Sequence, residues 1–180
     1  MTRMDAESLR DAMFFIAGRL DETPFGPPDL LYVRKDGLVV APEAPQGWRR
    51  SIYAQQFRMS SLTTLDLFDY PQMSPNCIQR TDTAIAPQAL HLMNDTIIRE
   101  LADYLAERVR KEVGDDRGKQ IDRVYWLALS RPPTAEEKDI VFKQLEKSYQ
   151  ARSGQPAIRN QELARFCLVM MNSAAFIYID

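Results

Sequence analysis

The chain has 180 residues, of which 45% are hydrophobic and 27% are charged, a balance typical of one globular domain. Its 23 basic and 25 acidic residues give a net charge of −2, so we expect no nucleic-acid partner. The sequence holds no run of about 20 apolar residues, and its N-terminal turns carry acids where a signal peptide is basic. We therefore predict no membrane insertion and find no signal peptide in this chain.

The first predicted elements are one helix and one hairpin. From Asp5 to Leu20, apolar residues recur at three- and four-residue steps, which indicates an amphipathic helix with Asp5 as its N-cap. Two short β-prone runs then surround Asp36-Gly37, the pattern of a β-hairpin.

The middle of the chain is predicted to hold short elements and a polar loop. The β-prone run Ser51 to Phe57 is expected to pair with Thr81 to Ala86. Between these runs we predict a short helix from Leu62 to Phe68 and a loop from Asp69 to Arg80. Loops of this length inside a domain are often functional.

The second half is predicted to be entirely helical. Pro87 stands in the first turn of a long helix that ends before Gly114, and a shorter helix follows it. Thr134 and Glu137 have the spacing of a capping box at the start of the next helix. A strongly apolar final helix is marked by residues from Leu163 to Ala174.

Together these elements predict a mainly α fold, an irregular helical bundle of about five to six helices with a small β-hairpin element in the N-terminal half. We interpret residues 1–180 as a single domain. Residues 1–83 would hold the first helix, the hairpin and the long polar loop, and residues 84–180 the helical bundle.

The chain lacks the residues that most cofactor sites require. His91 is the only histidine, and Cys77 and Cys167 lie far apart, so we predict no metal site and no bound cofactor. Cys167 is expected in the core, and Cys77 in a polar loop as a free thiol.

Carboxylates could in principle serve a glycoside hydrolase, which needs only a pair of them. The acids near the central loop are Asp66, Asp69 and Asp82, with Glu43 upstream. Because loop aspartates commonly bond their own backbone, we favour a structural role for them and predict no catalytic residue.

The densest polar group of the sequence surrounds two adjacent arginines and the central loop. The candidate binding residues are Arg49, Arg50, Tyr53, Asp69, Arg80, Thr83 and Gln88, and the same group includes Ser51, Asn76, Thr81 and Asp82. The arginines could pair with the loop carboxylates as a fixed network, which we favour. They could instead bind an acidic group such as a sulfate, a uronate or a C-terminal carboxylate.

Four groups of segments resemble one known family. They are Leu9-Arg-Asp-Ala with Gly18-Arg-Leu-Asp21; Arg49-Arg-Ser-Ile-Tyr53 with Phe68-Asp69; Asn76-Cys-Ile-Gln-Arg80 through Thr83 and Ala86-Pro-Gln-Ala-Leu90 to Asn94; and Leu129-Ser-Arg-Pro-Pro-Thr-Ala-Glu136 with Met171-Asn172 and Phe176-Ile-Tyr-Ile-Asp180. The chain is thereby similar to the C-terminal part of the planctomycete-specific domain of unknown function 1553, which occurs in large cytochrome-c-like proteins.

This resemblance implies an exported parent protein, periplasmic or on the cell surface, that is associated with polysaccharide processing. It implies haem only in other modules of the family, and it supplies no established catalytic residue. We expect a non-catalytic accessory or interaction module whose partners are neighbouring domains, a glycan or an acidic ligand. The alternative is part of a carboxylate-based glycan-degrading site completed by other domains. Asp69 and Asp82 facing one open cleft would favour that enzyme.

Overall fold

The computed structural model describes residues 1–42, 47–57, 61–71, 80, 83–151 and 156–179. Over these residues the chain forms eight α-helices, one short 3-10 helix at Ser51–Tyr53 and four two-residue strands. The helices are α1 (Ala6–Ile16), α2 (Thr63–Leu67), α3 (Ala86–Asn94), α4 (Thr96–Val113), α5 (Arg117–Leu129), α6 (Ala135–Ala151), α7 (Pro156–Met171) and α8 (Ala174–Ile177). The strands are β1 (Thr2–Arg3), β2 (Tyr32–Val33), β3 (Val39–Val40) and β4 (Tyr178–Ile179). The predicted helical bundle with a small hairpin is confirmed.

Helix α4 lies at the centre of the bundle. It packs against α1, α3, α5 and α7. Its residues Leu105 and Val109 are fully buried, as are Ile121 and Val124 of α5 and Cys167 of α7. Because these α4 and α5 positions recur at three- and four-residue steps, each helix turns one continuous apolar face inward. The predicted core position of Cys167 is confirmed.

Two local predictions are confirmed by hydrogen bonds. At the start of α6, the Thr134 amide donates to Glu137 Oε2 over 2.7 Å, and the Glu137 amide donates to Thr134 Oγ1 over 3.2 Å. This is the reciprocal capping box. In the hairpin, β2 pairs antiparallel with β3, and Gly37 adopts the positive φ that the turn needs.

The single helix predicted from Pro87 to Gly114 is wrong, because Asp95 divides it into α3 and α4. Asp95 is the N-cap of α4, and its Oδ1 accepts hydrogen bonds from the amides of Ile97 (2.8 Å) and Ile98 (3.4 Å). An aspartate side chain that bonds these amides competes with helix continuation. Leu90 of α3 is 57% exposed, so the buried face of α4 does not continue through it.

Helix α1 is shorter than the predicted span of Asp5 to Leu20. It ends at Ile16, and Gly18 follows with φ 69° while its amide donates to Phe15 O over 3.0 Å. A glycine in the left-handed region just beyond the last turn is a common helix stop. Asp5 does occupy the N-cap position, but its side chain makes no capping hydrogen bond.

The strand predicted at Ser51 to Phe57 is also wrong. The backbone amide and the hydroxyl of Ser51 both donate to Asp11 Oδ1 over 2.7 Å, and the chain turns into the 3-10 helix there. The strand-like contacts of this run are isolated bridges, one from Ala54 to Asp29 and one at Phe57. The expected partner forms no strand over residues 83–86, and residues 81–82 lie outside the described part.

The C-terminal end differs from the predicted single final helix. Helix α7 stops at Met171, and Ser173 caps the short helix α8 by accepting a hydrogen bond from the Phe176 amide over 3.3 Å. The second half is not entirely helical, because β4 follows and pairs antiparallel with β1 in the register Thr2↔Ile179 and Arg3↔Tyr178. This pairing joins the two ends of the described chain.

Candidate functional site

Arg49 is almost fully enclosed by its own chain. Its Nε donates to Asp29 Oδ1 over 2.9 Å, its Nη1 donates to Phe25 O over 2.8 Å, and its Nη2 donates to Pro27 O. The guanidinium also lies over the Tyr53 ring, 4.4 Å from its centroid. These contacts hold the loop before β2 in place. Because only 11% of the Arg49 side chain is exposed, little of its guanidinium can bind an external anion.

Tyr53 completes this arrangement from the opposite side of the loop. Its hydroxyl accepts a hydrogen bond from the Phe25 amide over 3.0 Å, and its carbonyl accepts one from the Asp29 amide over 2.8 Å. The Gln55 amide in turn donates a hydrogen bond to Asp29 O over 2.9 Å. The loop is therefore held at both the Phe25 and the Asp29 positions.

Arg50 points to a different partner from its neighbour. Its Nε lies 3.3 Å from Asp11 Oδ2 on α1, and 61% of its side chain is exposed. An exposed ion pair of this kind contributes little to stability. Of the two adjacent arginines, Arg50 is the one open to solvent.

Asp69, Thr83 and Gln88 form a second cluster beside β1. Arg3 Nη2 and the Thr83 amide each donate to Asp69 Oδ2 over 2.8 Å, and Gln88 Nε2 donates to Thr83 O over 3.0 Å. Burial alone would raise the pKa of Asp69, but the bonds from Thr83 and Arg3 outweigh it and lower that pKa. Asp69 also has φ 61°, so this contact network holds a strained backbone.

Arg80 forms a third contact, with α1. Its Nη1 and Nη2 donate to the two carboxylate oxygens of Glu7 over 2.8 and 2.7 Å, and Asp5 lies 3.4 Å away. This bidentate bond raises the pKa of Arg80 and is the main cause of the lowered pKa of Glu7. The Arg80 side chain is 42% exposed, so the pair lies at the surface.

The seven predicted residues are thus brought into separate clusters. Thr83 and Gln88 join Asp69, and Tyr53 joins Arg49. The two arginines pair with Asp29 and Asp11, so the structure does not place them against Asp69. Residues 76 and 81–82, which the sequence pattern grouped with them, lie outside the described residues, as do Glu43 and Cys77.

Arg10 is a buried charged residue that the sequence pattern did not single out. It is buried, and it donates from Nη2 to Gly47 O over 2.7 Å and from Nη1 to Arg49 O over 3.0 Å. Burial lowers its pKa, while the charge of Asp11 opposes that effect. The sequence offered no signal for this role, because the carbonyls that satisfy Arg10 belong to a segment nearly 40 positions away.

The other titratable candidates also have local partners. His91 Nε2 lies 2.9 Å from Thr64 Oγ1, and burial lowers the pKa of this imidazole. Asp66 accepts a hydrogen bond from the Ser61 hydroxyl. Within the described ranges, no group of three His, Cys, Asp or Glu side chains could hold a metal ion.

A different feature stands out on the surface beside Arg49 and Tyr53. Residues 24–33 and 52–57 lie next to each other through the bridge between Asp29 and Ala54, and we call them the Phe25 surface. Their exposed large apolar side chains are Phe25, Leu30, Tyr32, Val33, Ile52 and Phe57. Of these, Phe25 and Leu30 line one groove, and exposed apolar side chains that lie together commonly mark interaction sites.

Comparison with known proteins gives a family and no activity. Residues 1–145 match the sequence model of a family described as a protein of unknown function, DUF1553. The segments at 171–172 and 176–180 that contributed to the sequence resemblance lie beyond this match. No curated protein and no solved structure matches the chain. Among the described helices, none has the length and apolar character needed to cross a membrane.

Proposed function

This chain belongs to the family of proteins of unknown function DUF1553, and we propose that it is a non-catalytic interaction module of a larger exported protein. In this proposal the Phe25 surface docks a neighbouring domain or a partner protein. The parent protein would be of the planctomycete type, act in the periplasm or at the cell surface, and take part in polysaccharide processing.

The conformation of Phe25 is the observation that carries the proposal. This residue has φ 65° and is 81% exposed. A left-handed backbone costs a residue with a side chain about 1 kcal/mol, and an exposed phenyl ring forgoes roughly 2 kcal/mol of burial. Hydrogen bonds at the Phe25 amide and carbonyl hold this backbone conformation, but the described residues leave the ring exposed. A partner that covers the ring is the explanation we favour.

The polar residues around Phe25 support the same role. Its amide donates to the Tyr53 hydroxyl and its carbonyl accepts from Arg49, so the loop is fixed before any partner arrives. A surface that is already ordered loses less entropy on binding. The predicted residues Arg49 and Tyr53 would then contribute by positioning the loop.

The described carboxylates favour a module over an enzyme. A glycosidase acid needs a raised pKa and a free face toward the substrate. The oxygens of Asp69 instead accept bonds from Arg3 and Thr83, and the pKa values of Asp69 and Glu7 are lowered. The alternative of a glycan-degrading site shared with other domains gains no support from these residues.

The test is site-specific photo-crosslinking in the native host. Benzoylphenylalanine replaces Phe25 in the full-length protein, and a matched variant carries it in place of Phe142, an exposed phenylalanine of α6. We expect a discrete crosslinked product from position 25 that is absent or different at position 142. No product at position 25, or the same products from both positions, would refute the docking role.

A further inference from the structure

The loop that presents Phe25 carries an unbalanced negative charge. Residues 21–30 include Asp21, Glu22 and Asp29 and contain no lysine or arginine. Arg49 neutralises Asp29 from outside the loop. Asp21 and Glu22 lie four and three residues before Phe25. Arg49 also acts on the Asp21 carboxylate, but its single positive charge faces three negative ones, so the loop stays negative.

These two carboxylates are available to a ligand. Asp21 Oδ1 accepts bonds from the amide and hydroxyl of Thr23 over 2.9 and 2.6 Å, whereas its Oδ2 has no hydrogen-bond donor within the described ranges. The bonds from Thr23 lower the pKa of Asp21 and keep it ionised at neutral pH. Glu22 is exposed and forms no ion pair with any described residue.

An open groove lies beside the Phe25 ring. It has a volume of about 740 Å³ and is lined by Asp21, Pro24, Phe25, Leu30, Pro42 and Arg49, among others. That volume falls in the range of small binding clefts. The loop contains Pro24, Pro27 and Pro28, whose rings fix φ and stiffen one wall.

An aromatic face beside a carboxylate recognises a cation on an apolar stem. The cation interacts with the ring face and pairs with the carboxylate, while the stem covers apolar surface. This chain already uses the combination internally, since Arg49 lies over the Tyr53 ring and pairs with Asp29. Phe25 with Asp21 offers the same two elements to an outside group.

On the basis of the docking role proposed above, we infer that the Phe25 surface binds a segment of a partner protein in which an arginine or lysine stands next to an apolar side chain. Asp21, which lines the groove, pairs with the basic group, and Glu22 beside it in the chain adds negative charge. The apolar neighbour packs on Phe25 and Leu30. The same charges repel an acidic glycan or a C-terminal carboxylate at this position.

The test is selection of phage-displayed random dodecapeptides on the purified chain, with binding of the selected peptides measured afterwards. We expect enriched peptides to contain Arg or Lys beside an aliphatic or aromatic residue. Asp21→Asn combined with Glu22→Gln should weaken them about tenfold. Phe25→Gly suits the positive φ and keeps the fold, yet should abolish binding, while Phe142→Ser should not affect it.

The outcomes separate this inference from the docking role. Enriched peptides without a basic residue, equal binding by the Asn/Gln double variant, or no enrichment that depends on Phe25 would each overturn the inference. If position 25 still crosslinks in the native host, but to a segment without Arg or Lys, the docking role stands and the partner chemistry is wrong. If position 25 gives no crosslink, both the docking role and the inferred partner chemistry are wrong.

Discussion

Arg49 and Arg50 are adjacent in sequence, yet their removal should have very different effects on stability. Arg49→Ala removes hydrogen bonds to Asp29, Phe25 and Pro27 and leaves the mostly buried Asp29 carboxylate without its counter-ion. A charged hydrogen bond is worth roughly 1.5–3 kcal/mol. Since the exposed loop can rehydrate after the change, we expect a total loss of about 2–3 kcal/mol rather than the sum.

Arg50→Ala is the matched control. It removes one contact of 3.3 Å from a side chain that is mostly exposed, and Asp11 keeps its two bonds from Ser51. The expected loss is about 0.5 kcal/mol. Arg49→Lys should fall between the two, because an ammonium keeps the charge but cannot reach Asp29 and both carbonyls with a planar fork.

The assays are urea unfolding, which gives the free energy of unfolding of the three variants, and thermal melts, which give their Tm, both followed by far-UV circular dichroism. In a domain of this size, 1 kcal/mol corresponds to a Tm change of about 2–4 °C, so Arg49→Ala should lower Tm by about 4–12 °C and Arg50→Ala by about 1–2 °C. Equal losses, or a larger loss for Arg50→Ala, would refute the view that Arg49 fixes the loop and Arg50 does not.

Three further changes test other parts of the structure. Burial lowers the pKa of His91 below its usual 6.5, so as the pH falls the unfolded chain binds a proton at this residue before the folded chain does. The free energy of unfolding should therefore decrease as the pH drops below 6.5. His91→Gln should flatten that part of a series of unfolding curves measured at different pH values. Asp95→Ala removes the cap of α4 and should cost about 1 kcal/mol in urea unfolding. Gly47→Ala should lower Tm more than Gly37→Ala does. A Cβ at Gly47 would lie 2.5 Å from Pro42 O, whereas a Cβ at Gly37 would have no neighbour within 4 Å.

Each of these three predictions has a clear contrary result. An unchanged pH profile in the glutamine variant would place the titrating groups elsewhere. A free energy of unfolding for Asp95→Ala equal to that of the parent would mean that the cap is replaceable. Equal losses at the two glycines would mean that backbone conformation alone, and not the close approach of Pro42, sets their cost.

Signals that operate over a few residues predicted their part of the fold correctly. The bonds of the Thr134–Glu137 capping box and the pairing of the hairpin around Gly37 form between close neighbours, so the chemistry can be recognised in the sequence. The boundary between α3 and α4 at Asp95 also depends on neighbouring residues, but the apolar pattern continues on both sides of it and predicted one helix. The strand predicted at Ser51 to Phe57 was wrong for another reason, because Ser51 bonds to Asp11, which lies 40 positions away in the sequence.

The sequence supplied candidate residues but not the arrangement in which the structure places them. A cluster of polar residue types drew attention to Arg49, but the choice of Asp29 over Asp69 as its partner depends on how the chain returns past α1. The conformation of Phe25 has no sequence signal either, since a positive φ is expected of a glycine and Gly26 stands next to it. Three-dimensional contacts therefore decide which of these residues are buried in the fold and which are exposed.

The pairing of β1 with β4 has a mechanical consequence. Thr2 lies opposite Ile179, so a force that pulls the two ends apart acts along the hydrogen bonds between the strands and not along the strands. Such bonds break one after another, whereas bonds loaded in shear share the force. Under tension transmitted through flanking segments, the small terminal sheet should open at low force, and the helices around α4 would bear load only after it.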